Sequence, residues 1–124
     1  MQGGGGRMGL SMHILDTAQG RPGQGIAFAL FRLHEDGGRE ELRRGVTDQD
    51  GRTEAWLLAQ DELRVGRYEM LYGIGDYFRA AGFKLAEPAF IDEVCLRFSI
   101  SDRSAHYHVP LLVSPYGYTT YRGS

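Results

Sequence analysis

Among the residues of this chain whose side chains suit chemistry at neutral pH are His13, Arg52, His106, His108, Tyr121 and Ser124. An imidazole changes charge near pH 6.5, so it can take or give a proton under physiological conditions. A guanidinium is a fixed cation whose planar fork holds an anionic oxygen with two hydrogen bonds. A hydroxyl or a terminal carboxylate can fix a small molecule or a water. Each has a plainer reading. A histidine on a strand is more often structural than catalytic, an arginine in a turn is usually solvated, and a chain end usually frays. Tyr116, Tyr118 and Tyr121 are packing residues first and hydroxyl donors second.

The elements that must position these groups alter those odds. Residues 106–124 read HYHVPLLVSPYGYTTYRGS. Strand side chains alternate with period two, so Tyr107, Val109, Leu111 and Val113 form an ordinary core face. His106, His108, Pro110 and Leu112 point the other way, on a face too apolar to be plain solvated surface. Near the start, Met12, Ile14 and Asp16 share one face of a strand and turn Ser11, His13 and Leu15 outward. If those two strands lie in one sheet, His13 and His108 share a surface. Arg52 closes the turn 47–52 (TDQDGR), and Ser124 ends a run, Tyr-Thr-Thr-Tyr-Arg-Gly, too specific for a loose tail.

Between these blocks the chain reads as short strands broken by turns. The expected strands are 11–17; 25–34, buried on both sides; 40–47, polar and at a sheet edge; a short piece through Thr53 and Glu54; and 66–75. A strand over 90–100 follows, with Phe90, Val94, Leu96, Phe98 and Ile100 on one face, and then a final pair. Residues 56–63 read as irregular. Asp76 to Ala81 is the one helix candidate, capped by Gly75 or Asp76 and stopped by Gly82. About eight strands with one short helix predict an all-β, two-sheet antiparallel sandwich.

Composition narrows the field. The 124 residues suit one domain, 42% hydrophobic and 24% charged, a globular balance. Residues 1–10, with the run Gly3 to Gly6, read as a flexible leader, and 11–124 as the domain. A net charge of −2 without a basic block argues against nucleic acid. No apolar run approaches the roughly 20 residues of a membrane span, and no secretory h-region appears, so a cytoplasmic protein is expected. The single cysteine, Cys95, reads as a strand thiol, and no Cys/His spacing suggests a zinc site. P-loop, Rossmann, HExxH and GxSxG patterns are missing.

Three blocks carry a family resemblance: His13-Ile14-Leu15-Asp16 with Thr17 and Gly20-Arg21-Pro22; Thr47-Asp48 with Asp50-Gly51-Arg52; and His106 to Leu112 with Ser114-Pro115-Tyr116 and the terminal Tyr121-Arg122-Gly123-Ser124. On these the chain resembles the 5-hydroxyisourate hydrolases, transthyretin-related enzymes of purine breakdown. The likeness runs from about residue 11 to the end, and the terminal tetrapeptide is its most specific part. Ile14 stands where valine is common and Gly117 where serine is frequent.

The resemblance implies a transthyretin-like sandwich assembled as a homotetramer, a dimer of dimers. His13 and His108 would line a channel between dimers, and Pro110 and Leu112 would be covered by assembly. It implies a small purine-derived substrate and neither metal nor cofactor. His13, Arg52, His108 and Ser124 would be catalytic; His13, Arg52, His106, Tyr121 and Ser124 would contact substrate. Of His106 and His108, the alignment favours His108 as the channel residue. Either His13 or His108 could be the general base. The competing expectation is a carrier that binds a small aromatic ligand in the same channel.

Overall fold

Alternating apolar residues on two sets of strands build two facing sheets. The computed structural model describes residues 9–124. In chain order the strands are β1 (Gly9–Asp16), β2 (Arg21–Pro22), β3 (Ala27–Leu33), β4 (Arg39–Val46), β5 (Leu58–Ala59), β6 (Gly66–Gly73), β7 (Glu93–Ile100), β8 (Tyr107–Ser114) and β9 (Gly117–Thr120). Helix α1 (Ile74–Ala80) follows β6, and a 3₁₀ turn (Gln60–Glu62) follows β5. One sheet has the order β2-β1-β8-β9, with β5 also paired to β1; the other has β4-β3-β6-β7. The two-sheet sandwich with one short helix expected from the sequence is the observed fold. Its ladders are antiparallel except one, since β1 and β8 run parallel.

The core lies between the sheets. Leu10, Met12, Ile14, Tyr107, Leu111 and Val113 face Leu30, Tyr68, Met70, Tyr72, Val94 and Ile100, all buried. Each large apolar side chain so buried contributes about 1.5–3 kcal/mol before chain entropy is set against it. Polar ends inside are partnered. The Tyr72 hydroxyl donates to Met12 Sδ at 3.4 Å, and burial holds its phenol well above the usual range. Tyr68 donates to the Arg64 carbonyl at 2.7 Å.

Several sequence expectations shift. β1 takes in Gly9 and Leu10, which the reading assigned to the leader; Leu10 is fully buried and cannot be outside the domain. The rest of that leader lies outside the described residues. No strand forms at Thr53 and Glu54. The paired segment is β5, inside the stretch taken as irregular, because Leu57 and Leu58 are the residues that bury. Helix α1 begins at Ile74, and neither Gly75 nor Asp76 caps it. Its first N–H groups, on Ile74 and Gly75, donate instead to the Asp92 carbonyl at 3.0 and 2.9 Å, which serves in place of a side-chain cap. Phe90 does not join the β7 core face. It precedes the strand, is 76% exposed, and lies against Tyr116 at 6.0 Å between ring centroids.

Candidate active site

The site begins with the parallel β1–β8 ladder. Its register sets Ser11 opposite His108 and His13 opposite Pro110. Met12 and Ile14 fill the core, so Ser11 and His13 point away from it; Val109 and Leu111 do the same for His108 and Pro110. The first sheet therefore carries both histidines on one outer face, one register step apart. Ser11 Oγ lies 2.8 Å from His108 Nδ1.

Arg52 arrives by the turn after β4. Asp48 Oδ1 accepts the N–H groups of Asp50 and Arg52 at 2.9 and 3.0 Å, and the Asp48 N–H donates to the Arg52 carbonyl at 2.9 Å. Asp and Asn side chains favour such loops because they bond their own backbone two residues on. The turn docks on β1 through Gly51, whose carbonyl accepts the Ile14 N–H at 2.8 Å. Gly51 has φ +73°, and a Cβ there would sit under 3.0 Å from the Ile14 carbonyl oxygen. Only glycine permits both the left-handed backbone and this approach. Arg52 is thus exposed beside the histidines, and no carboxylate among the described residues forms an ion pair with it.

The C-terminal tetrapeptide folds back over β8. The Gly123 N–H donates to the His108 carbonyl at 2.7 Å. Arg122 donates to the His106 carbonyl at 2.9 Å and stacks 4.1 Å above the Tyr107 ring. A Cβ on Gly123 would lie 2.7 Å from His108 Cδ2 and 3.3 Å from Pro110 Cγ. Glycine lets the backbone lie flat on these rings, which carries Ser124 to the cleft. It also changes one expectation: Pro110 is buried within the chain itself, while Leu112 stays half-buried.

These parts enclose an open cleft of about 600 Å³, lined by Ser11, Arg52, Trp56, His106, His108 and Ser124 among others. His13 stands beside it, close enough for the Arg52 charge to act on its ring. Tyr121 lies outside the lining and is 56% exposed. Both His106 and His108 reach the cleft, their rings nearly parallel at 6.4 Å. His106 packs edge-on against Trp56 at 5.3 Å, and its buried Nδ1 has no hydrogen-bond partner among the described residues.

Electrostatics favour neutral imidazoles. Burial lowers the His108 pKa, and Arg52, His106 and His13 lower it further. Burial and then Arg52 lower His13, partly opposed by a hydrogen bond to the Asp50 backbone and by the Asp50 and Asp48 carboxylates. Among the described residues, no group of three His, Cys, Asp or Glu side chains is arranged to hold a metal ion. What the arrangement can do is proton transfer by a neutral imidazole next to a free guanidinium, with a hydroxyl at hand.

Sequence reasoning passed over Ser11 and Trp56. Ser11 was legible, since it shares the outward face of His13 two residues away. Trp56 was not, because it sits in an irregular segment whose position depends on the docking of β5 against β1.

Comparison with known proteins agrees. The family model described as HIUase/Transthyretin family matches residues 10–123. The chain is 52% identical over 115 residues to the 5-hydroxyisourate hydrolase of Mesorhizobium japonicum, covering 93% of this chain and 91% of that protein. Among solved structures, transthyretin from Sparus aurata matches with a TM-score of 0.83 at 27% identity, over 94% of this chain and 97% of that one. The 5-hydroxyisourate hydrolase of Klebsiella pneumoniae matches with 0.75 at 33% identity, over 94% of each. Backbone likeness thus spans a transthyretin and a 5-hydroxyisourate hydrolase, while sequence identity is higher toward the proteins named 5-hydroxyisourate hydrolase. The chain belongs to the HIUase/Transthyretin family.

Proposed function

We propose that this chain is a hydrolase that opens the six-membered ring of 5-hydroxyisourate at an acyl–nitrogen bond, giving 2-oxo-4-hydroxy-4-carboxy-5-ureidoimidazoline. The observation that carries this reading is the convergence of His108, Arg52 and Ser124 on one cleft beside His13, in a chain 52% identical to a protein named for that activity. One of His13 and His108 takes a proton from water as its oxygen attacks the carbonyl carbon. The other orients the attack or donates toward the leaving nitrogen. A positioned base of this kind is worth roughly 10²–10⁴-fold. Arg52 holds the electron-rich oxygens of the substrate and the charge growing on the attacked carbonyl. Ser124 fixes substrate or water by hydrogen bond. A tetramer built as a dimer of dimers fits the exposed aromatic edge of Phe90, Tyr116 and Tyr118, and light scattering on a sizing column tests it.

The functional test is an ultraviolet assay. 5-Hydroxyisourate is generated in situ from urate with urate oxidase, and its decay is followed with and without the protein. Acceleration well above the spontaneous rate, lost in His108→Ala while the fold persists, is expected. A folded protein that leaves the decay unchanged overturns the hydrolase reading in favour of a carrier, and aromatic ligands for the channel are then screened.

A further inference from the structure

We propose that Ser11 is a positioning residue for this site: its hydroxyl donates to Nδ1 of His108, keeps the proton of the neutral ring on Nε2, and so presents His108 to the cleft as a hydrogen-bond donor. What the donor serves rests on the hydrolase reading above; the tautomer itself does not.

The placement follows from the ladder. Ser11 and His108 are directly paired residues of β1 and β8, both face outward, and Oγ and Nδ1 stand 2.8 Å apart. Ser11 lines the same cleft as Arg52 and Ser124. With Nδ1 engaged, Nε2 is the ring nitrogen left for a ligand.

The direction of the bond follows from which donors find acceptors. A serine hydroxyl can donate or accept. Among the described residues, Nδ1 of His108 is the one partner of the Ser11 hydroxyl. If Nδ1 carried the ring proton, the serine proton would have no protein acceptor, and Nε2 would face the cleft as a bare lone pair. With Nδ1 bare, one hydrogen bond satisfies the serine donor and the ring acceptor together. Burial and the neighbouring Arg52, His106 and His13 oppose a second ring proton, so there is a neutral tautomer to select.

With His108 presented as a donor, the base falls to His13, whose ring burial and Arg52 also hold neutral. His13 takes the proton from the attacking water as its oxygen bonds the carbonyl carbon. As the carbon–nitrogen bond breaks, the same His13 returns that proton to the leaving nitrogen. His108 transfers no proton. Its Nε2–H and the Arg52 guanidinium stabilise the negative charge on the carbonyl oxygen, since a neutral imidazole can act as an electrophile.

Nitrogen-15 NMR of the histidine rings in the full chain, at a pH where they are neutral, reads the tautomer directly. The His108 signals are assigned by their loss in His108→Gln. The expected wild-type pattern is a protonated Nε2 and a bare Nδ1. In Ser11→Ala the two nitrogens move toward a tautomer average and kcat falls about tenfold, part of the roughly 10²–10³-fold carried by one such donor. KM stays within about twofold, and Ser11→Thr restores both kcat and the ring signals. A wild-type His108 protonated on Nδ1 overturns the proposal, as do ring signals and kcat unchanged in Ser11→Ala. A wild-type protein with the expected tautomer but no effect on 5-hydroxyisourate overturns the hydrolase reading instead, leaving the Ser11–His108 pair as assigned.

Discussion

Replacing Gly51 with alanine separates the cost of a backbone conformation from the cost of losing a docked turn. Gly51 has φ +73°, where an L-residue costs about 1–2 kcal/mol. The added Cβ would also press on the Ile14 carbonyl oxygen and lie 3.2 Å from the Gly23 nitrogen, neither at the flexible end of a side chain. The turn must then lift off β1. That breaks the bond from the buried Ile14 N–H to the Gly51 carbonyl, and an unpaired buried donor costs a further 1–3 kcal/mol or so. The total is about 2–5 kcal/mol. For a chain of this size each kcal/mol lowers Tm by about 3–5 °C, so a fall of roughly 10–20 °C is expected. Gly37→Ala is the matched control. Its φ is +91°, but nothing lies within 4 Å of the added Cβ, so only the first cost, about 1–2 kcal/mol, applies. The variants should therefore differ by about 5–10 °C in thermal unfolding followed by circular dichroism. Catalysis should separate them further. Arg52 follows Gly51 directly, and a displacement near 1 Å in a positioning group costs on the order of 10²-fold in rate. Gly37→Ala, in the distal β3–β4 turn, should keep kcat/KM within about twofold. If the two variants melt together and retain equal activity, the docking of this turn on β1 does not position Arg52.

Three further outcomes are expected. The pKa values of His13 and His108 are both held below 6.5, so on acidification the unfolded chain binds these protons first. The stability they confer is present above about pH 6.5 and is lost as the pH falls toward the folded-state values. The acid limb of kcat/KM should accordingly lie below 6.5 and move upward in Arg52→Gln; a limb above 6.5 in the wild type sinks this reading. Gly123→Ala should force its Cβ onto His108 Cδ2, lift Ser124 from the cleft and lower kcat/KM by about tenfold or more, with little change in Tm because residues 121, 122 and 124 are exposed; wild-type turnover would mean that the terminus is not part of the site. Asp16 is 1% exposed and accepts from the Ala18 and Gln19 N–H groups, Gln19 Nε2 and the Tyr77 hydroxyl, the last with its own pKa pushed up to about 12 by burial and then by this bond. An amide has one acceptor oxygen where the carboxylate has two, so Asp16→Asn should cost about 2–3 kcal/mol, read as a fall of about 10 °C in Tm, with kcat/KM nearly unchanged. A loss of activity at unchanged stability would move Asp16 from the frame into the chemistry.

Local pattern made much of this molecule readable before its fold was known. Period-two alternation assigned the core faces of β1, β6 and β8, because a strand with one buried face cannot slip by a residue without inverting every side chain. It also turned Ser11, His13 and His108 outward. Glycines and aspartates marked the turn before Arg52, since the turn is made by bonds within its own six residues. Boundaries fared worse where neighbours rather than residues decide them. Helix α1 starts early because Asp92, well beyond the helix in the chain, supplies the acceptor for the Ile74 and Gly75 N–H groups. β5 forms because β1 has an open edge for Leu58 and Ala59.

The sequence alone, then, determined the sandwich and the chemical groups, because alternation, turn residues and side-chain type are properties of short stretches. The tertiary structure alone decided that they meet at one cleft. The parallel pairing of β1 with β8 joins His13 and Ser11 to His108 across more than ninety residues. The docking of Gly51 under Ile14 brings Arg52 to them, and the fold-back of Gly123 onto Pro110 and His108 brings Ser124. These are contacts between distant segments. Their geometry depends on sheet order and on space left by missing side chains, which no local pattern encodes.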